Sequence, residues 1–276
     1  DKDYYKDIAI VSMNTVSPKV LDLFGESYFY MKPNDGGTEL LRMSLGHKFK
    51  ELLHLFGSNP TVSNAATAFA TATGFNDIYY FGVDLGFKDS EYHHSKDSVY
   101  FDKFKGKYTP KQTGDKTVPG NFCDSVFTTN HFDFGRHTIE FVLRRTRKVR
   151  ELNVYNCSDG ALIEGAEPLR IEDICLPDVE PEKSLQDMLF EQSRTNVIDP
   201  KTLETNVKEF SKLMFDSMDK VADKRLLSVD ISPKELMDIF SYQYSLVYEL
   251  ATRTNLYVGR MLVGSTNYLQ VPATGY

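Results

Sequence analysis

Apolar and polar positions fall into blocks along the first two thirds of the chain, and the blocks predict strand and helix in turn. Ile8 to Ser12 (IAIVS) predicts a buried strand, Val16 to Phe24 a short helix, and Ser27 to Lys32 (SYFYMK) alternates as a second strand. After a break at Asn34-Asp35-Gly36-Gly37, residues 38–55 place Leu40, Leu41, Leu45, Phe49, Leu52 and Leu53 at helical spacing, interrupted near Gly46. The turn Gly57-Ser58-Asn59-Pro60 introduces a small-residue helix, roughly Thr61 to Thr73, with Pro60 at or near its first position. Its alanines, Ala65, Ala66, Ala68, Ala70 and Ala72, allow close packing on a sheet. Asp77 to Gly82 (DIYYFG) reads as a strand buried on both faces, with Asp84 just past its carboxyl end. A helix from about Phe132 to Arg150, with Ile139, Val142 and Leu143 on one face, leads into a strand from Leu152 to Tyr155. This alternation predicts an α/β fold: a Rossmann-like, mostly parallel sheet with flanking helices.

Two segments depart from the alternation. Residues 85–119 are polar and without period, a long connection of the sort that serves as a lid or is partly disordered. Past Pro177 the pattern turns helical over 182–223 and 233–265, with Ser232 and Pro233 suited to a cap and first turn. The expected division is therefore a Rossmann-like domain over 1–178 and an α-helical C-terminal region over 179–276. The stripe Leu213, Met214, Met218, Leu236, Met237, Phe240 and Tyr244 reads as helix-pair packing.

Composition narrows the partners. A net charge of −7 over 276 residues gives no general attraction to nucleic acid or anionic membrane. The basic run Arg144 to Arg150 (RRTRKVR) suits the C-terminal end of a helix, where cations complement the dipole; a phosphate or acidic partner is the other reading. Cys123, Cys157 and Cys175 are scattered and odd in number, which argues against a disulfide scaffold or zinc site and fits a reducing, cytoplasmic setting. No long apolar run suggests a membrane span. The chain begins at Asp1 rather than Met and reads as a fragment or processed product.

Candidate chemistry gathers where an open α/β sheet binds ligands, outside the carboxyl ends of its strands. Gly57, Ser58 and Asn59 precede a helix N-terminus, which attracts anions, while Asp84 and the loop with His93 and His94 follow the next strand. The turn Asn156-Cys157-Ser158-Asp159-Gly160 sets small polar groups at another strand end, where they can bond a base or ribose; an ordinary Asx turn explains it equally well.

The segments GSNPTVSNAATAFA, GFNDIYYFGVDLGF and HHSKDSVY resemble the core of the motility accessory factor (Maf) flagellin glycosyltransferases, whose central domain is similar to bacterial sialyltransferases. VYNCSDGALIEGAEPL resembles the closing strand and turn of that domain, so the resemblance spans about residues 5–175, with the GVDL turn and the following histidine its most specific part. It implies transfer of a nonulosonic acid, of the pseudaminic or legionaminic type, from its CMP-activated form to Ser or Thr of flagellin before export. A Gly-Pro-Ser-Leu-like motif that the family carries upstream is absent from this sequence, which starts after it.

For such a reaction the phosphate already leaves well, so the protein must deprotonate the acceptor hydroxyl, balance charge on the phosphate and exclude water. No cofactor is required, and no Asp-x-Asp pair of the metal-holding kind is present. Gly57, Ser58, Asn59 and Thr61 are assigned to the phosphate path, and Asn156, Ser158 and Gly160 to the nucleoside. Asp84 orients a sugar hydroxyl or a histidine, or simply caps the strand-end turn. His94, with His93 as alternate, is the expected general base. Tyr92 and Tyr100 steady the leaving phosphate or pack as aromatics. Two other functions remain open: a pterin diphosphokinase-like transfer from ATP with Mg²⁺, using Asp84 and Asp89, and a non-catalytic flagellin-docking module.

Overall fold

The computed structural model describes residues 4–33, 35–89, 116–176, 185–192 and 198–221, with single positions between 232 and 242. Its contacts divide the chain into two units, one made of Asp1–His54 with Pro181–Tyr276, the other of Leu55–Glu180. The first fifty-odd residues thus group with the C-terminal segment, whereas the sequence pattern joins them to everything before residue 178.

In the first unit, β1 (Ala9–Met13) and β2 (Glu26–Tyr30) pair in parallel from Ala9↔Glu26 to Met13↔Tyr30, linked through the short helix α1 (Pro18–Leu21). Helix α2 (Gly36–Leu45) starts where Asp35 Oδ1 accepts from Thr38 N at 3.1 Å. It gives way to a 3₁₀ turn, Gly46–Glu51, because Gly46 takes a φ of 57°, the interruption expected at that glycine. The chain then bridges back to Met31, whose N–H donates to Leu53 O at 2.7 Å. Beyond lie α5 (Leu185–Gln192) and α6 (Pro200–Val221); Asp199 Oδ2 caps α6 by accepting from Thr202 N at 2.9 Å. Helix α6 packs on α2, where Asn206 Nδ2 reaches Ser44 Oγ at 3.1 Å. The expected cap at Ser232 is present, its Oγ accepting from Glu235 N at 3.3 Å. The side chains of the Leu/Met/Phe stripe lie outside the described residues.

The second unit is a three-stranded parallel sheet in the order β3 (Asp77–Tyr80), β6 (Asn153–Asn156), β7 (Glu167–Pro168), with helices α3 (Val62–Ala72) and α4 (Asn130–Arg147) packed on each other. A hairpin, β4 (Lys116–Pro119) and β5 (Ser125–Thr128), leans on the sheet through Phe87↔Phe127 and Gly120↔Ala161 bridges. The core follows from α4, whose Ile139 and Leu143 are fully buried against Leu152, Val154 and Ile163. Burying each such side chain stabilises by about 1.5–3 kcal/mol. The predicted basic run ends α4: Arg147 Nε donates to Leu152 O at 3.0 Å, and Arg150 Nη2 reaches Thr71 O, at the end of α3, at 2.9 Å.

Three expectations are corrected. Pro60 is not the first helical residue: it follows a cis Asn59–Pro60 bond, and Thr61 is the cap that precedes Val62. β3 is not buried on both faces, since only Tyr80 is buried while Asp77 is exposed and Tyr79 stacks on Tyr155 at 4.9 Å. The polar connection over 85–119 ends in a strand, β4, whose one buried side chain is Val118.

Candidate functional site

The carboxyl ends of β3 and β6 stand side by side, because Tyr80↔Asn156 is the last pair of their parallel register. The turns that follow are fastened to one another. Cys157 N donates to Tyr80 O at 2.9 Å, Val83 N to Ser158 Oγ at 2.8 Å, and Ala161 N to Asp84 O at 2.7 Å. Gly160 lies flat on the Asp84 backbone: a Cβ there would stand 2.6 Å from the Asp84 carbonyl carbon and closer still to its oxygen and Cα. Asn121, from the hairpin loop, closes the assembly. Its N–H donates to Gly160 O at 2.8 Å, and its Nδ2 to Asn156 O at 2.8 Å and Ser158 O at 2.9 Å. Asn156 and Ser158 are themselves buried, with Asn156 Oδ1 accepting from Ser158 N at 3.0 Å, so the Asx turn open to the sequence reading is formed.

Two helix N-termini meet the same region. Thr61 caps α3 in a capping box: its Oγ1 accepts from Asn64 N at 3.3 Å, while Asn64 Oδ1 accepts from Thr61 N at 3.2 Å. Asn64 Nδ2 then crosses to Gly135 O of α4 at 2.9 Å. The absent side chain of Gly135 makes room for this contact, since a Cβ there would meet Asn64 Oδ1, Thr61 Cγ2 and Leu85 Cδ2 within 3.5 Å. Thr129 caps α4, and Thr128 Oγ1 donates to Leu85 O at 2.8 Å. Thr61, Leu85, Thr128 and Gly135 thus draw the starts of α3 and α4 to the turn that carries Asp84. The Gly57 turn packs further along α4, on Val142 and Thr138; its φ of 80° and this close approach both require glycine. Next to it Ser58 is 1% exposed, and its hydroxyl has no partner among the described residues.

Comparison with solved structures finds a likeness to the MAf glycosyltransferase from Magnetospirillum magneticum AMB-1, with 23% sequence identity and a TM-score of 0.50. The likeness covers 97% of this chain and 38% of that one, so the chain spans well under half the length of the structure it matches. The chain has the fold of that part of the Maf enzyme. No family model matches the sequence, and no curated protein does.

Within the Maf fold, electrostatics separate the polar groups by role. Asp84 reaches the surface, yet partial desolvation, with the Asp159 carboxylate as a second cause, raises its carboxyl above the ordinary range. Asp159 pairs with Lys88. His131 stands in the first turn of α4 beside Phe132, and burial lowers its pKa, so the imidazole is uncharged at neutral pH. Asp133 is desolvated, which raises its pKa, but bonds from Lys116 and Arg136 outweigh this and hold the carboxyl below its usual value. Arg136 also binds Glu140 at 2.6 Å, and Glu140 accepts from Glu164 N at 3.0 Å, so this network is bracing for α4. Among the described residues no cluster of three or more His, Cys, Asp or Glu is placed to hold a metal, and no helix is long and apolar enough to cross a membrane.

Of the residues singled out by sequence, Thr61, Asp84, Asn156, Ser158 and Gly160 fall in this one region of the Maf fold, and Gly57, Ser58 and Asn59 on the turn that enters it. His93, His94, Tyr92 and Tyr100 lie outside the described residues. Sequence reasoning missed Asn64, Asn121 and His131. The spacing Thr61-x-x-Asn64 signals a capping box and Thr129 before an apolar run signals a cap, but nothing in the sequence ties Asn121 to a turn that follows β6.

Proposed function

We propose that the chain is the donor-binding part of a glycosyltransferase that moves a nonulosonic, sialic-acid-like sugar from its CMP-activated form to Ser or Thr of flagellin. The reaction would take place in the cytoplasm before export and serve flagellar assembly. The observation that carries this reading is the pair of fastened strand-end turns, after β3 and β6, flanked by two capped helix starts in a Maf fold. Such a site suits a nucleotide: amides and hydroxyls for its phosphate and sugar, with the acceptor approaching from outside the strand ends.

In the proposed step, an imidazole takes the proton of the acceptor hydroxyl as its oxygen bonds to the anomeric carbon. The anomeric C–O bond to phosphate breaks and CMP leaves with the electron pair. His94, with His93 as alternate, remains the proposed base from sequence; His131 is a second candidate, since its uncharged ring stands at the start of α4. Asp84, with its raised pKa and exposed carboxyl, is proposed to orient a sugar hydroxyl.

Binding of CMP, compared by calorimetry with CDP, UMP and ATP plus Mg²⁺, tests the reading. Selective binding of CMP is expected. The neighbouring carboxylates of Asp84 and Asp159 favour a second reading, Mg²⁺-dependent transfer from ATP, although Lys88 already engages Asp159. A preference for ATP with Mg²⁺ would decide for it, and no nucleotide binding would leave a flagellin-docking role.

A further inference from the structure

The residue that ends β6 gathers two further side chains beside the strand-end turns. Asn156 O accepts from Leu169 N at 3.1 Å and from Asn121 Nδ2 at 2.8 Å. The next residues along those two segments, Arg170 after β7 and Phe122 in the hairpin loop, meet each other: the guanidinium carbon of Arg170 stands 5.0 Å from the centre of the Phe122 ring. A ring face attracts the cation but offers its five N–H donors no oxygen. Glu172 and Asp173 follow in the next turn, yet among the described residues no hydrogen bond or ion pair takes up the guanidinium, and the residue is exposed. Lys88, by contrast, is paired with Asp159 of the turn after β6.

Position and chemistry point the same way. Asn156 is the last residue of the register between β3 and β6, so the Arg170 and Phe122 pair stands at the carboxyl end of the parallel sheet, where open α/β sheets bind ligands. A guanidinium carries a planar fork of donors that matches two oxygens of a phosphate or a carboxylate. Held over a ring, it has less freedom left to lose on binding than a cation on a free stem. We propose that Arg170 binds an oxyanion of the donor, either the phosphate of the nucleotide or the carboxylate of the sugar, through paired N–H groups. The inference rests on the nucleotide-sugar reading above. At the phosphate, such a cation also balances the charge that CMP carries away as the C–O bond breaks.

The test is calorimetric titration of cytidine, CMP and CMP-N-acetylneuraminic acid into the unaltered chain and into Arg170→Gln. Cytidine has neither anion, CMP has the phosphate alone, and the sugar conjugate has both. Because Arg170 is exposed and its side chain makes no hydrogen bond among the described residues, Arg170→Gln should keep the Tm of the unaltered chain. Recognition of the phosphate should weaken CMP binding by Arg170→Gln roughly tenfold to a hundredfold and leave cytidine binding unchanged. Recognition of the carboxylate should leave CMP unchanged and weaken the conjugate by the same factor. Unchanged affinity for both CMP and the conjugate overturns the proposal, and so does an equal loss for cytidine; either result leaves the nucleotide reading intact. Failure of all three to bind the unaltered chain removes that reading and this inference together.

Discussion

Gly160→Ala is the sharpest probe of how the two strand-end turns are held. The added Cβ would stand 2.6 Å from the Asp84 carbonyl carbon, with the Asp84 oxygen and Cα nearer still. All three are backbone atoms, so no side chain can swing aside; one turn must move away from the other. That movement strains or breaks the bond from Ala161 N to Asp84 O, now 2.7 Å, and with it the register set by Val83 N on Ser158 Oγ. Overpacking costs about 1–3 kcal/mol and a lost hydrogen bond about 1 kcal/mol more, so the expected loss is about 3 kcal/mol. Gly74→Ala is the control: Gly74 has a φ of 95° and nothing within 4 Å of a Cβ, so its substitution carries only backbone strain, about 1–2 kcal/mol. Urea unfolding followed by circular dichroism separates the two, since about 3 kcal/mol moves the midpoint by roughly 1–3 M. A cost for Gly160→Ala no larger than that for Gly74→Ala would refute the account of the fastened turns.

Three further outcomes follow from the same contacts. Asn64→Ala removes the capping box and the bond to Gly135 O from a fully buried site, and is expected to cost about 2–4 kcal/mol in denaturant unfolding; under about 1 kcal/mol would contradict the bridge between α3 and α4. Asp133→Asn should cost about 2–3 kcal/mol at neutral pH. Because the folded pKa of Asp133 lies below its unfolded value, its stabilisation is present above the ordinary carboxylate range and fades as pH falls through the folded value. The difference in Tm between the two proteins should therefore narrow below about pH 4, and a constant difference would contradict the ion pairing. Ser58→Ala deletes a buried hydroxyl that has no partner among the described residues, so its Tm should hold or rise; a lowered Tm would show that the hydroxyl serves the fold.

The sequence made legible what a local pattern carries. The apolar and aromatic runs before Ser12 and around Ile78 mark β1 and β3, and the face Ile139, Val142, Leu143 marks α4 because burial on one side of a helix repeats at a fixed spacing. The hairpin β4–β5 escaped because its pattern is too short: Lys116-Thr117-Val118-Pro119 buries one side chain, and its attachment comes from Phe87 and Ala161, distant in sequence. Candidate site residues such as Asp84 and Gly160 were legible through the general rule about strand ends, but their mutual contact was not, since a flat glycine against a backbone leaves no periodic trace. The grouping of residues 1–54 with the C-terminal helices was likewise out of reach, because α6 meets α2 through Asn206 and Ser44, two polar residues of unremarked type.

Where polar groups stay unsatisfied is more informative than where they pair. In the second unit, Asn156, Ser158, Thr128 and Asn64 are buried and bonded, and each is accounted for by the turn or cap it completes. Ser58 Oγ and Asn121 Oδ1 are as deeply buried and bond to nothing among the described residues. Ser58 stands on the turn before α3 and Asn121 on the loop after β4. Leaving such an atom unpaired costs about 1–3 kcal/mol, so each of the two positions lowers the stability of the unit. On this argument two buried serines should respond oppositely to truncation: Ser58→Ala holds or raises the Tm, whereas Ser158→Ala lowers it, because Val83 N loses its acceptor; equal losses would contradict the argument.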